Sequence, residues 1–280
     1  MNYSFFDYKY NIKNFTSDFF GISHIIFIVL SFILVPILCI FFRKINHKKI
    51  DLFLKVYSIL ITILEFSKII WESYYDISTG QGFNIGGILP FYTCSMFMYS
   101  MLLVAWTKGS TKEYALSFLT TIGLLSGAIA IVYLNALNYY PFWTFGAFSS
   151  IIVHFSMFSV GLFLLISGYK KLEWKDAIKA WIPMVILSLI ATPLNYEHGA
   201  DYMQIYSGSG IPFFSSLAEI LAKQHLRFVF TFIMLLVYIP FACVPIAISK
   251  VIYTIISMFQ KPKLSLDSNI IREQEDKKIA

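Results

Sequence analysis

The sequence predicts an all-α fold, a polytopic membrane bundle of about seven transmembrane helices. Its 280 residues are 58% hydrophobic and only 14% charged, and the mean hydropathy is +0.69. A soluble domain usually carries about 25% charged residues, because it must cover its core with polar groups. The composition therefore excludes soluble globular, disordered and fibrous proteins and favours a protein embedded in the bilayer.

Seven apolar runs, each close to the ~20 residues that cross a bilayer, are the basis of the predicted bundle. We place the spans at 20–42, 52–75, 87–106, 113–134, 146–168, 176–195 and 227–257. The predicted domains are an extracytoplasmic segment 1–19, the membrane domain 20–257 and a charged cytoplasmic tail 258–280. Between the last two spans, residues 212–222 are apolar enough to form a re-entrant or interfacial helix.

The distribution of lysine and arginine predicts the orientation of these spans. Alternate loops at 43–51, 107–112 and 169–175, with the chain from Lys250 onward, hold 15 of the 22 basic residues. Cytoplasmic loops of membrane proteins carry the excess of basic residues. We therefore expect a multi-pass protein of the cell membrane, with its N-terminus outside and its C-terminus in the cytoplasm. Because the basic residues lie in these loops, the net charge of +6 does not indicate nucleic-acid binding.

Three ionisable residues of the second span, Glu65, Lys68 and Glu72, fall on one narrow face of a helix with 3.6 residues per turn. Ionisable groups within a span are costly, so this face must look into the bundle or into water. Two interpretations stay open. The residues form an ion pair that holds helices together, or they line a substrate pocket.

A cysteine and a histidine lie at similar depths in the third and fifth spans. At 1.5 Å per residue, Cys94 is roughly 10 Å and His154 roughly 12 Å below the outer ends of their spans. Each residue by itself is usually a packing residue. However, Lys68 lies at a similar depth, and Asn195 and Arg227 end and begin spans on the same side. The sequence therefore predicts a polar pocket in the outer half of the bundle.

This pocket has the residue types for nucleophilic catalysis. The thiolate is the nucleophilic form of cysteine, and His154 as a base or Lys68 as a positive neighbour would favour it at Cys94. Glu72 would orient the imidazole, as the third member of a triad does. No metal or other cofactor is expected, because metal-ligand spacings such as HxxxH and CxxC and nucleotide-binding loops do not occur.

Three strings also carry a resemblance to a known family: LPFYTCSM at 89–96, YYPFWTF at 139–145 and LNYEHGADYMQI at 194–205. Over roughly 50–250 the chain resembles the YwaF-type integral membrane proteins. These are related to a vertebrate membrane protein described as an ether-phospholipid acyltransferase. The residues that match the family pattern are Cys94, His154, Asn195, Gly199, Tyr202 and Met203.

The resemblance implies a seven-helix fold with a lipid-facing catalytic pocket, to which Asn195, Gly199 and Tyr202 contribute. The chain departs from the family pattern at two places. Asp201 replaces an expected asparagine, and AKQHLRF at 222–228 stands where a proline–tryptophan signature is expected.

Three functions remain open from the sequence. The first is a phospholipid acyltransferase or transacylase with a Cys94–His154 pair, membrane lipids as partners and a phospholipid as acyl donor. A pocket in the outer half does not easily meet cytoplasmic acyl-CoA. The second is a small-molecule transporter, favoured by the charged face of the second span and by prolines inside spans. The third is a structural protein whose polar groups only fix helix packing. The sequence does not decide whether the protein is an enzyme, which oligomer it forms, or whether Cys94 and His154 touch.

Overall fold

The computed structural model describes residues 3–9, 12, 17–208 and 212–259, and their regular secondary structure is helical, as predicted. Short turns connect most helices, and a π-helical turn at Leu119–Gly123 joins α5 to α6 without a break. The helices are α1 (Ile22–Phe42), α2 (His47–Ser78), α3 (Ile85–Ile88), α4 (Thr93–Trp106), α5 (Gly109–Phe118), α6 (Leu124–Val132), α7 (Phe145–Ile166), α8 (Lys175–His198), α9 (Pro212–Lys223) and α10 (Arg227–Phe259).

Five stretches among the described residues are long and apolar enough to cross a membrane. Each of them coincides with one predicted span, so the polytopic prediction is confirmed at this level. Their boundaries are Ile22–Phe42, Gly109–Asn138, Phe145–Ile166, Lys175–His198 and Arg227–Ile255.

The other two predicted spans have a different local structure. α2 has 32 residues, or roughly 48 Å, but six of its residues from Asp51 to Asp76 are charged. The predicted span 87–106 is interrupted, because the helix ends at Ile88 and resumes only at Thr93. Pro90 explains the break, since proline lacks an N–H and disfavours helical geometry at the residue before it. The resulting α4 has 14 residues, roughly 21 Å.

α4 lies at the centre of the bundle, where it packs against α2, α5, α7 and α8. Its side chains Phe97 and Met101 are fully buried in the main hydrophobic core, together with Phe118 and Leu119 of the adjoining helices. α1 packs against α6 and α7 and exposes most of its apolar side chains. An apolar surface of this kind is stable against lipid.

α6 and α7 approach each other closely at two glycines. A Cβ atom on Gly127 of α6 would lie 2.5 Å from the backbone nitrogen of Phe158 and 2.9 Å from the carbonyl oxygen of His154. A Cβ atom on Gly161 of α7 would lie 2.5 Å from the carbonyl oxygen of Leu119. Small residues allow this approach between helices in a membrane. The backbone at His154 therefore lies directly against Gly127.

A buried ion-pair cluster connects the loop after α7 to α5 and α8. Lys170 Nζ lies 2.9 Å from both Glu113 Oε2 and Asp176 Oδ1, and Ser117 Oγ donates to the same Asp176 oxygen at 2.8 Å. Burial alone would lower the pKa of Lys170, but the bonds to Glu113 and Asp176 hold that pKa above its ordinary value. The cluster stabilises the ends of α5 and α8 opposite the functional site.

The helix predicted at 212–222 is present as α9, whose 12 residues span roughly 18 Å, too short to cross a bilayer. By its contacts the chain divides into Met1–Ile246 and Ala247–Ala280. The described part of the second unit is the C-terminal part of α10, residues 247–259. The predicted cytoplasmic tail 258–280 lies outside the described residues from position 260 onward.

Candidate functional site

Three predicted site residues lie on three helices that pack against one another, and they define the region called the cleft here: Lys68 of α2, Cys94 of α4 and His154 of α7. The ammonium group of Lys68 is close enough to Cys94 and His154 to interact electrostatically with both. All three side chains are half-buried, so they retain accessible surface between the helices. The structure therefore places Cys94 and His154 within electrostatic range of one ammonium group.

Cys94 is the second residue of α4 and so lies in its first turn. The first backbone hydrogen bond of this helix runs from Met96 N to Tyr92 O at 3.1 Å, so the preceding N–H groups have no partner within the helix. A helix N-terminus favours negative charge, which suits a thiolate or an oxyanion at this position.

His154 lies across the cleft on α7, with its Nδ1 atom 3.3 Å from the hydroxyl of Ser150 one turn earlier. This contact orients the ring and leaves Nε2 as the nitrogen available for proton transfer. Among the hydrogen bonds of the described residues, none joins His154 to Cys94. The structure thus places the two residues in the same cleft without direct contact.

The two glutamates beside Lys68 have different environments. Glu65 is buried and accepts a hydrogen bond from Ser95 Oγ at 2.8 Å, which connects α2 to α4 next to Cys94. Glu72 is half-buried and interacts electrostatically with Lys68 at longer range. Among the ion pairs of the described residues, neither glutamate forms one with Lys68 within 4.0 Å. The charged face therefore looks into the bundle without the direct ion pair that one interpretation required.

Asp76 extends this face by one further turn, and the sequence analysis missed it. Its carboxylate is only 2% exposed and accepts a hydrogen bond from the Tyr8 hydroxyl at 2.8 Å. The predicted span ended at residue 75, whereas α2 continues to Ser78. A helical wheel that was extended by one turn would have placed Asp76 beside Glu72.

Three further predicted site residues lie at the end of α8 and in the loop after it, where they hold the chain next to the cleft: Asn195, Gly199 and Tyr202. Asn195 is fully buried, with its Nδ2 donating to Tyr202 O at 3.0 Å and its Oδ1 accepting from Tyr202 N at 2.8 Å. Gly199 ends α8 in a left-handed conformation, with φ 63°. Glycine is favoured at this C-cap because it has no Cβ.

Tyr202 connects this loop to the segment that precedes Cys94. Its hydroxyl donates to Ile85 O and accepts from Leu89 N at 3.2 Å, and its ring packs edge-on against Tyr92 at 4.9 Å. A second link comes from Tyr238 of α10, whose hydroxyl donates to Met203 O at 2.8 Å and contacts Thr93 Oγ1 at 3.1 Å. The two sequence strings around 89–96 and 194–205 are thus physically joined. Tyr92 and Tyr238 were not among the predicted site residues.

Arg227 lies in a different place from the cleft residues. Its guanidinium group stacks on the ring of Tyr206, 4.1 Å from the centroid. It lines a surface cavity of about 550 Å³ between α9 and the start of α10, together with Ser207, Ser215 and Lys223. The structure therefore assigns this predicted residue to a separate surface.

The two hydrogen bonds between the Asn195 side chain and the Tyr202 backbone, called the clamp here, lead to a stability prediction. Replacing Asn195 with alanine leaves a buried N–H and a buried C=O without partners, each of which costs roughly 1–3 kcal/mol. We expect the free energy of unfolding to fall by about 2–6 kcal/mol, measured as a lower thermal midpoint of the detergent-solubilised protein. Asn135→Ala is the control, since Asn135 is exposed. Equal midpoints for the two variants would contradict the clamp.

Within the described part of the chain, no three or more His, Cys, Asp and Glu residues are grouped so that they could hold a metal ion. A family model described as the TMEM164 family matches residues 19–242, most of the chain, and includes every residue of the cleft. No curated protein and no solved structure matches the chain. With the five stretches that can cross a membrane, this match shows that the chain is a multi-pass membrane protein and belongs to the TMEM164 family.

Proposed function

We propose that the protein is a phospholipid acyltransferase of the transacylase type, with Cys94 as nucleophile and His154 as base. The observation that carries this proposal is the cleft itself. A thiol in the first turn of one helix and an imidazole on a second helix both lie within electrostatic range of an ammonium group on a third helix. Nucleophile, base and charge-stabilising group are the parts that acyl transfer requires.

The proposal includes seven spans, with α2 and the α3–α4 segment added to the five apolar stretches. α2 is long enough to cross, and its charged residues Glu65, Lys68 and Glu72 lie on the face toward the cleft. Counting both segments keeps the basic loops on one side, which supports a cytoplasmic C-terminus and an external N-terminus in the cell membrane. The cleft then lies in the outer half of the bundle, within reach of phospholipids of that leaflet.

The first half-reaction transfers an acyl chain from the donor phospholipid to the enzyme. His154 takes the proton of the Cys94 thiol, and the thiolate attacks the carbonyl carbon of the donor ester. The C–O bond to the glycerol oxygen breaks, and His154 returns the proton to that oxygen. A lysophospholipid leaves, and the acyl chain stays on Cys94 as a thioester.

The second half-reaction reverses these roles with a different lipid. His154 takes the proton from the free hydroxyl of an acceptor lysophospholipid, whose oxygen attacks the thioester carbonyl. The C–S bond breaks, and Cys94 recovers its proton from His154. No other co-reactant is consumed, because one ester is exchanged for another.

Two further features of the cleft support this chemistry. The backbone N–H groups of Cys94 and Ser95 lie next to the sulfur, where the tetrahedral oxyanion forms. Lys68 supplies a positive charge beside the same atom. Catalytic hydrogen bonds are often absent before substrate binds, so contact between His154 and Cys94 belongs to the substrate complex.

Intact-mass analysis with a thiol-reactive phospholipid analogue tests the proposal. We expect one adduct on the wild-type protein, which is lost in Cys94→Ala and strongly slowed in His154→Ala. Cys243→Ala is the matched control, because Cys243 is also a half-buried free cysteine, and this variant is expected to label normally. Equal labelling of Cys94 and Cys243 would contradict the proposal. Transport through the charged cleft would then be the function to assay first.

A further inference from the structure

We propose that residues 3–9, here called the plug, close the outer end of the cleft to water. The outer end is the one formed by the C-terminus of α2 and the N-terminus of α7. This inference concerns access to the cleft and holds whether or not Cys94 is a nucleophile.

Two backbone carbonyl groups of the plug accept hydrogen bonds from the two helices that form the cleft walls. The carbonyl oxygen of Phe5 accepts a hydrogen bond from the backbone N–H of Phe145 at 2.7 Å, at the start of α7. The carbonyl oxygen of Phe6 accepts from the indole Nε1 of Trp71 on α2 at 3.1 Å. The plug therefore bridges the helix that carries Lys68 and the helix that carries His154.

Tyr8 is the anchor of the plug. The side chain is 1% exposed, and its hydroxyl donates to Asp76 Oδ1 at 2.8 Å. Its ring stacks on Tyr75 with centroids 5.2 Å apart, and meets Trp71 edge-on at 5.2 Å and Tyr140 at 6.0 Å. These rings form an aromatic layer across the end of the bundle.

This layer lies directly above the residues of the cleft. On α7, Ile151 packs against the aromatic layer and precedes His154 by three residues, or one helical turn. On α2, Glu72 lies one turn above Lys68 and interacts electrostatically with Lys68 below it and with Lys9 of the plug above it. Both walls of the cleft therefore end at the plug.

An aromatic layer at this position discriminates by charge. A permanently charged molecule must lose its hydration to pass between packed rings, and this cost is large where no partner is supplied. An uncharged apolar molecule can reach the cleft from between the helices. The plug thus favours the entry of amphiphiles from the bilayer over that of water-soluble solutes.

Thiol modification of Cys94 tests the plug without any assay of activity. The background variant carries Cys39→Ala and Cys243→Ala, which leaves Cys94 as the only thiol. Two methanethiosulfonates of similar size are compared, one with a trimethylammonium group and one with an uncharged alkyl group. With the plug in place, we expect the charged reagent to react at least about 100-fold more slowly, because of its desolvation cost.

Opening the plug should remove this difference selectively. Tyr8→Ala deletes the anchor, and we expect the charged reagent to react at least about tenfold faster while the uncharged reagent keeps its rate. Tyr139→Ala, at an exposed tyrosine, is the control and should change neither rate. General unfolding is recognised because it accelerates both reagents.

Two results would overturn the inference. One is equal reactivity of the two reagents in the background variant, which needs no plug mutation to be observed. The other is a folded Tyr8→Ala variant whose charged-reagent rate is unchanged. If Cys94→Ala leaves acyl transfer intact, only the proposed function fails, because these rates report accessibility alone.

Discussion

Replacing Cys94 with alanine is expected to lower the rate of acyl transfer between phospholipids by at least about 10³-fold, because removal of a nucleophile leaves only binding and charge stabilisation. The variant lacks the atom that carries the acyl chain, so neither half-reaction can proceed. The measurement is the appearance of a labelled acyl chain on an unlabelled lysophospholipid, with the purified protein in lipid nanodiscs.

Cys243→Ala is the control for this experiment, and it should transfer acyl chains at the wild-type rate. His154→Ala should also be strongly slowed, and the double variant Cys94→Ala/His154→Ala should be no slower than Cys94→Ala, because the two residues act as a unit. A Cys94→Ala protein that retains transfer would refute the catalytic assignment, although the cleft would still be present.

Replacing Gly127 with alanine is expected to produce the largest loss of stability. The added Cβ atom would lie 2.5 Å from Phe158 N and 2.7 Å from Met157 Cβ, and the first of these atoms is backbone that cannot rotate away. α6 and α7 must therefore separate. Overpacking of this kind costs typically 1–3 kcal/mol and more where backbone must move, so we expect a loss of about 3 kcal/mol or more.

Thermal unfolding in detergent measures this effect, and Gly87→Ala is the matched control. At Gly87 the three atoms nearest to an added Cβ are all side-chain atoms of Asn84, which is exposed and can move. The thermal midpoint of Gly87→Ala should stay near that of the wild type. If Gly127→Ala were as stable as this control, the close approach of α6 and α7 would not exist in the protein.

The distribution of apolar and basic residues along the chain was enough to predict the helical, polytopic architecture. Burial in lipid requires long apolar helices, so the length of the apolar runs carries most of this information. The interruption before Thr93 was the main local error. Pro90 signalled it, but the apolar run masked the break, since hydropathy does not distinguish a helix from an irregular segment of the same composition.

The site was partly predictable for the same reason. Ionisable groups inside apolar runs are costly, and this principle selected Lys68, Cys94 and His154 before their proximity was visible. Position at the outer ends of spans also selected Asn195 and Arg227. In the structure Asn195 bonds to Tyr202 in the loop after α8, and Arg227 lines a separate cavity. Depth in a span specifies the height of a residue in the bundle but not the direction in which its side chain points.

The sequence by itself therefore determined the class of protein and the five apolar segments that can cross a membrane, because both depend on local composition. The tertiary structure decided which groups meet. Tyr8 contacts Asp76 across 68 residues, and Tyr202 contacts Leu89 across 113. Such contacts depend on how the helices pack, which local patterns do not encode, and they define both the cleft at Cys94 and the plug that covers it.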